Sequence, residues 1–249
     1  RTIEFLPTAP LRGVPARLHG TVRTREGSFT GFLQWDRQES TSSDELTGAT
    51  DDGDLRLRFD TLASIAREPE GGSRVTLLDG REIVLTGSRQ VDQGNRGVYV
   101  DDPRYGRVLV SWGAFERVDF SPAGSGPAYG DFPPGRLLTG TVLTRTGTRL
   151  VGRLVVDLDE TETTETLDAP SRGVDFSIPF GSVASMVLPD GAGPAVVTLA
   201  SGEALELERS GDLGAGNAGM LVFADGADSP TYVSWADVKE VRFDLPREE

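Results

Sequence analysis

The sequence predicts an all-β protein of two homologous tandem domains, each a pair of small barrel or sandwich units with short 3₁₀ turns. Three observations lead there. Gly (31) and Pro (15) punctuate a 249-residue chain, which favours frequent turns over long helices. The second half repeats the first. Within each half an aromatic residue recurs with apolar residues three and six positions later.

The repeat can be followed along the whole length. Leu18-His-Gly-Thr-Val-Arg-Thr-Arg-Glu-Gly27 matches Leu138-Thr-Gly-Thr-Val-Leu-Thr-Arg-Thr-Gly147, and Gly31–Asp36 matches Gly152–Asp157. Asp54–Ile65 then pairs with Asp175–Met186, and Val75–Gly80 with Val197–Gly202. Gly94-Asn-Arg-Gly97 pairs with Gly216-Asn-Ala-Gly219, Ser111-Trp112 with Ser234-Trp235, and Val118–Phe120 with Val241–Phe243. The offset drifts only from 120 residues (Leu18 to Leu138) to 123 (Phe120 to Phe243). Such a match predicts one fold used twice.

The opening segment, 1–17, is expected to be extended with a short strand, because Ile3-Glu-Phe-Leu-Pro7 echoes Val118-Asp-Phe-Ser-Pro122. Domain 1 is placed at 18–120, with units 18–66 and 73–120. A Pro/Gly-rich linker follows at 121–137. Domain 2 is placed at 138–246, with units 138–187 and 195–243.

Each unit opens with a hairpin signal. Asp79-Gly80 and Ser201-Gly202 lie between alternating apolar segments, as do the turns ending at Gly27 and Gly147. The aromatic triplets are Phe59/Leu62/Ile65, Trp112/Phe115/Val118, Phe180/Val183/Met186 and Trp235/Val238/Val241. A single 3₁₀ turn places positions three apart on one side, so a strand ends on an inward aromatic and a new strand leaves over the same core. This strand–3₁₀–strand closure after an opening hairpin resembles SH3-like small barrels of the Sm-like and PRC-barrel types. With its G-T-V opening and S-W closing segments, the two-copy pattern also resembles uncharacterised exported bacterial proteins. The resemblance implies a fold and no active site. The basic, asparagine-containing loop of nucleic-acid-binding Sm-like proteins is missing.

Composition narrows function. The chain carries 39 acidic and 25 basic residues, a formal charge of −14, which repels nucleic-acid backbones and anionic lipid surfaces. There is no cysteine, hence no disulfide, thiolate nucleophile or cysteine–metal site. No apolar run approaches the length of a membrane helix. Arg1 in place of a methionine reads as the end of a removed export signal or an expression boundary. Export to the periplasm or exterior is the expected localisation.

Candidate chemistry is sparse. His19 is the one histidine, matched by Thr139 in the second copy, so a catalytic triad or two-histidine metal site is not available within one chain. The carboxylate candidates shared by both copies are Asp36/Asp157 and Asp54/Asp175, the places to look for a carboxylate-based hydrolase. Asp51, Asp52 and Asp54, and separately Asp157 and Asp159, are the candidate calcium ligands. The Gly-Asn loops at 94–97 and 216–219 are better explained by turns than by phosphate binding. Trp112 and Trp235 read as core anchors. Trp35, Tyr99, Tyr105 and Tyr129 have no aromatic counterpart in the other copy and are the candidate partner contacts.

The expectation is a non-catalytic accessory protein that needs no cofactor and presents two similar β domains to a protein partner. An extrinsic subunit of a membrane-embedded complex is one form of it. The alternatives are a carboxylate hydrolase and a carbohydrate- or calcium-binding module.

Overall fold

The computed structural model describes residues 15–124, 126 and 134–244, so the expected strand at 3–7 and Tyr129 lie outside the described residues. The described chain is all-β: twenty strands, with short 3₁₀ turns between some of them. None of its helical segments is long and apolar enough to cross a membrane. The chain forms two compact units, and the arm Asp101–Ala114 belongs with the second.

Unit 1 contains β1 (His19–Thr24), β2 (Gly27–Gln34), β3 (Glu45–Thr50), β4 (Gly53–Arg58), β5 (Leu62–Arg67), β6 (Ser73–Leu77) and β7 (Glu82–Leu85). The start of β8 (Val98–Asp102) and β10 (Phe115–Phe120) complete it. The order β8-β2-β1-β10-β5-β6-β7 makes the main sheet, and β3-β4 stand as a separate pair. One row of partners crosses the sheet: Val22↔Val118, Val118↔Ile65 and Ile65↔Val75. All four are fully buried, and burying each aliphatic side chain contributes about 1.5–3 kcal/mol.

Unit 2 takes β9 (Gly106–Val110) from the arm, then β11 (Thr139–Thr144), β12 (Arg149–Val156), β13 (Thr166–Ser171) and β14 (Val174–Pro179). It continues through β15 (Val183–Val187), β16 (Ala195–Leu199), β17 (Ala204–Leu207), β18 (Met220–Phe223), β19 (Thr231–Val233) and β20 (Val238–Phe243). Its main sheet runs β17-β16-β15-β20-β11-β12-β18-β19, and β13-β14-β9 form a further antiparallel run. Here the crossing row is Val142↔Val241, Met186↔Val241 and Met186↔Val197, again fully buried.

The same local solutions recur. A bulge interrupts β1–β10 between Arg23 and Thr24, and β11–β20 between Leu143 and Thr144. A Cβ on Gly20 or Gly140 would collide with the carbonyl of Asp119 or Arg242 on the neighbouring strand, which accounts for glycine before Thr-Val in both. The hairpin turns place Gly80, Gly147 and Gly202 at φ of 86°, 86° and 88°, open to glycine at little cost. Three of the aromatic triplets begin in 3₁₀ turns, at Phe59–Thr61, Phe180–Ser182 and Trp235–Asp237. At the fourth, Ala114 N–H donates to the Ser111 carbonyl at 3.1 Å, closing a tight turn before Phe115. All twelve residues of the triplets are buried.

The expectation of barrels is corrected: among the described strands neither main sheet closes. The reason lies in the last strand of each copy. β10 sits between β1 and β5, and β20 between β11 and β15. Within each copy a strand from the expected second barrel therefore becomes a central strand of the first, and the two expected barrels merge into one sheet instead of curling separately. Units of about 50 residues bury too little surface to stand alone easily. Sharing a central strand removes two exposed edges.

Candidate functional site

The clearest polar constellation in each half grows from the turn after its second strand. In unit 1, Trp35 and Glu39 exchange backbone hydrogen bonds of 2.7 and 3.0 Å, which pulls Asp36 and Arg37 into left-handed backbone at φ 47° and 59°. In unit 2, Val156 and Glu160 make the same exchange at 2.9 Å, with Asp157 and Leu158 at φ 49° and 67°. A non-glycine pair in that region is costly and needs support from its surroundings. A second loop supplies it. Asn95 Nδ2 donates to the Gln90 carbonyl, and Asn217 Nδ2 to the Asp212 carbonyl, both at 2.8 Å. The same asparagines accept from Gly97 N–H and Gly219 N–H at 2.8 Å. Gly97 and Gly219 take the positive φ expected of these loops, while the asparagines act as buried staples.

On this shared frame unit 1 builds a neutralised site. Asp36 is fully buried. It accepts from Arg89 Nε at 2.8 Å, Arg96 N–H at 2.8 Å and Arg96 Nε at 3.3 Å. Both guanidinium groups also donate to Gln38 Oε1. Gln90 Nε2 donates to Glu39 Oε1 at 2.6 Å, and Gln90 Oε1 accepts from Thr47 N–H at 2.6 Å. Each carboxylate here meets a donor.

Unit 2 keeps the positions and changes the charges. Arg89 becomes Gly211, Arg96 becomes Ala218, Gln38 becomes Asp159 and Gln90 becomes Asp212. Asp157 still accepts from the backbone N–H of Ala218, and Asp212 Oδ2 from Asp168 N–H at 2.6 Å. Both guanidinium groups are gone. Oxygens of Asp157, Glu160 and Asp212 now lie within 4.8 Å of one another, and all three residues are part-exposed. Burial, then the neighbouring Asp159, pushes the Glu160 carboxyl up to about 8, and burial chiefly raises that of Asp212. Burial also raises Glu39 in unit 1. In both glutamates Oε2 is buried without a hydrogen-bond partner.

Hard oxygen ligands converging this closely suit a calcium- or magnesium-like cation. Asp157, a candidate from the sequence, belongs to the cluster, and the exposed Asp159 flanks it. Glu160 closes the same acidic segment, Asp157-Leu-Asp-Glu160, and Asp212 was missed. Asp212 comes from a 3₁₀ turn at Gly211–Leu213, far along the chain, and its signal was the change from Gln90 within the aligned repeat. Asp51, Asp52 and Asp54 sit exposed around the β3–β4 turn, outside that cluster. Asp175 is exposed on β14.

The aromatic candidates separate. Trp35 is buried, donates from Nε1 to the Gln90 carbonyl at 3.0 Å and packs edge-on to Phe115 at 5.3 Å, so it serves the core instead of a contact surface. Tyr105 is also buried, edge-on to Phe176, and its hydroxyl donates to Glu203 at 2.6 Å; burial and that bond push its hydroxyl up to about 12. Tyr99 is half-buried under the Arg37 guanidinium, 5.2 Å from the ring centre. Trp112 and Trp235 are buried as core anchors. His19 begins β1, with Nδ1 2.9 Å from Ser121 Oγ.

No protein-family model matches the chain, and no significant match was found among curated proteins or solved structures.

Proposed function

We propose that this chain is a non-catalytic accessory protein of the bacterial envelope or exterior, two homologous tandem units derived from SH3-like β repeats, and that it binds protein by adding strands to sheets. The observation that carries the reading is the arm Asp101–Ala114. It lies within the first copy of the repeat but is taken into unit 2, where β9 pairs with β14 along Val110↔Val174 to Arg107↔Ser177. Recognition of one repeat by another through a strand edge is thus already in use within the chain. Strand addition supplies main-chain hydrogen bonds for affinity and leaves specificity to alternate side chains. An extrinsic subunit of a membrane-embedded complex is a natural setting. Native isolation from the source organism tests the reading: a defined complex is expected, and a lone monomer overturns it.

A second reading is favoured by the contrast between the two polar sites. Where unit 1 places Arg89 and Arg96, unit 2 has Gly211 and Ala218 beside three converging carboxylates, a position suited to a calcium ion. Titration calorimetry with calcium tests it. Heat that disappears in Asp157→Asn is expected, and no heat in the parent protein overturns it.

A further inference from the structure

The repeat leaves two strand edges unmatched, and each is the counterpart of a strand that pairs inside unit 2. β4 corresponds to β14, with Asp54 for Asp175 and Phe59 for Phe180. β19 corresponds to β9, with Val233 for Val110 and Trp235 for Trp112. β14 is sandwiched between β13 and β9, whereas β4 has β3 alone among the described strands, and β19 has β18 alone. Unpaired edges present rows of free N–H and C=O groups.

We propose that a second copy of this chain fills both gaps: β4 of one molecule adds antiparallel to β19 of the next, in the register of β14 on β9. The β14–β9 ladder pairs Val174↔Val110, Asp175↔Leu109 and Phe176↔Val108. Carried across, it sets Gly53 opposite Val233, Asp54 opposite Tyr232 and Leu55 opposite Thr231. The inference rests on the strand-addition reading and names its partner.

Side chains agree with the geometry. On β14, Phe176 and Ile178 are buried, whereas their counterparts Leu55 and Leu57 on β4 are only half-buried. Tyr232 on β19 is 56% exposed. β3 is already held on its far side by reciprocal backbone bonds between Ala49 and Thr86, so among the described residues the open edge of the pair is β4. Continuing the register past Pro230 brings Arg58 level with Asp228, opposite in charge. Pro230 stands where β9 has Arg107 and has no N–H to donate, so the ladder is short and the contact reversible. The two edges are different surfaces. Association is therefore head to tail, closing as a ring or extending as a filament.

The absence of cysteine makes the test clean. Asp54→Cys is mixed with Tyr232→Cys, and separately Leu55→Cys with Thr231→Cys, under mild oxidation. Successive antiparallel pairs alternate in Cα separation, so one of the two mixtures places its thiols within disulfide reach. That mixture is expected to cross-link at least about tenfold faster than Tyr232→Cys mixed with Asp79→Cys from the β6–β7 turn. The sedimentation coefficient of the parent chain rises with concentration, and the edge variant Tyr232→Lys removes the rise. Equal cross-linking of matched and mismatched mixtures, or a monomer at every concentration, overturns the proposal. Native isolation with Tyr232→Lys then separates the two levels. A complex lost from a chain that never self-associates refutes only the second copy as partner, and a complex left intact refutes strand addition at β19 itself.

Discussion

After β2 the chain turns through Asp36 and Arg37, and after β12 through Asp157 and Leu158, in almost the same left-handed backbone. Behind both turns an asparagine staple holds the next loop at matching distances. On these two frames, four substitutions of polar or charged side chains reverse the electrostatics. Asp36 is closed in by Arg89 and Arg96, and Gln90 donates to one oxygen of Glu39. Asp157 and Glu160 face Asp212 with neither arginine. Two matching frames can thus share a backbone solution and differ in chemistry, because each turn is closed by its own backbone bonds, Trp35 with Glu39 and Val156 with Glu160.

The largest expected effect breaks the neutralised side of this comparison. Replacing both Arg89 and Arg96 by alanine leaves Asp36 buried without a cation, at a cost of about 3–5 kcal/mol. Thermal denaturation reads it as a fall in Tm, and adding Asp36→Asn restores part of the loss. An unchanged Tm would show that the arginines are dispensable to the fold.

The acidic side is tested next. Calcium at about a hundred times its dissociation constant is expected to stabilise the parent protein by about 2.7 kcal/mol. Asp212→Gln, which installs the residue of the other copy, removes that gain in a calcium-dependent melting series. A smaller effect sharpens the shared frame: Asn95→Ala and Asn217→Ala each lose a bond to a carbonyl and one from an N–H, costing about 1–3 kcal/mol apiece by chemical denaturation. Near-equal losses are expected, and losses differing severalfold would separate the two frames.

The smallest effect is in pH. The Glu160 carboxyl rises in the fold from 4.5 to about 8, so its proton is held more tightly folded than unfolded. Its stabilising contribution is full below 4.5 and disappears as pH climbs through about 8. Solvent screening keeps the change small, because the cluster is part-exposed. Without divalent cations, Glu160→Gln is expected to flatten the stability profile between those limits, measured by denaturation across pH.

Period-two alternation, Gly-punctuated turns and the aromatic triplets made the strands and tight turns readable in order, since each depends on neighbours a few residues away. Ile65 and Val118, or Met186 and Val241, could be recognised as core residues for the same reason. The repeat also marked Asp36 and Asp157 as equivalent. Long-range pairing lay beyond local pattern: that β10 and β20 become central strands and keep the sheets open, that Trp35 turns inward onto Gln90 and Phe115, and that Tyr105 is buried by Phe176. Only the folded chain could bring Asp212 to Asp157 and Glu160 across some fifty residues. Periodicity reports which face of a strand is apolar, but which strand lies beside it depends on free energy gained between distant segments, and that the tertiary structure alone decides.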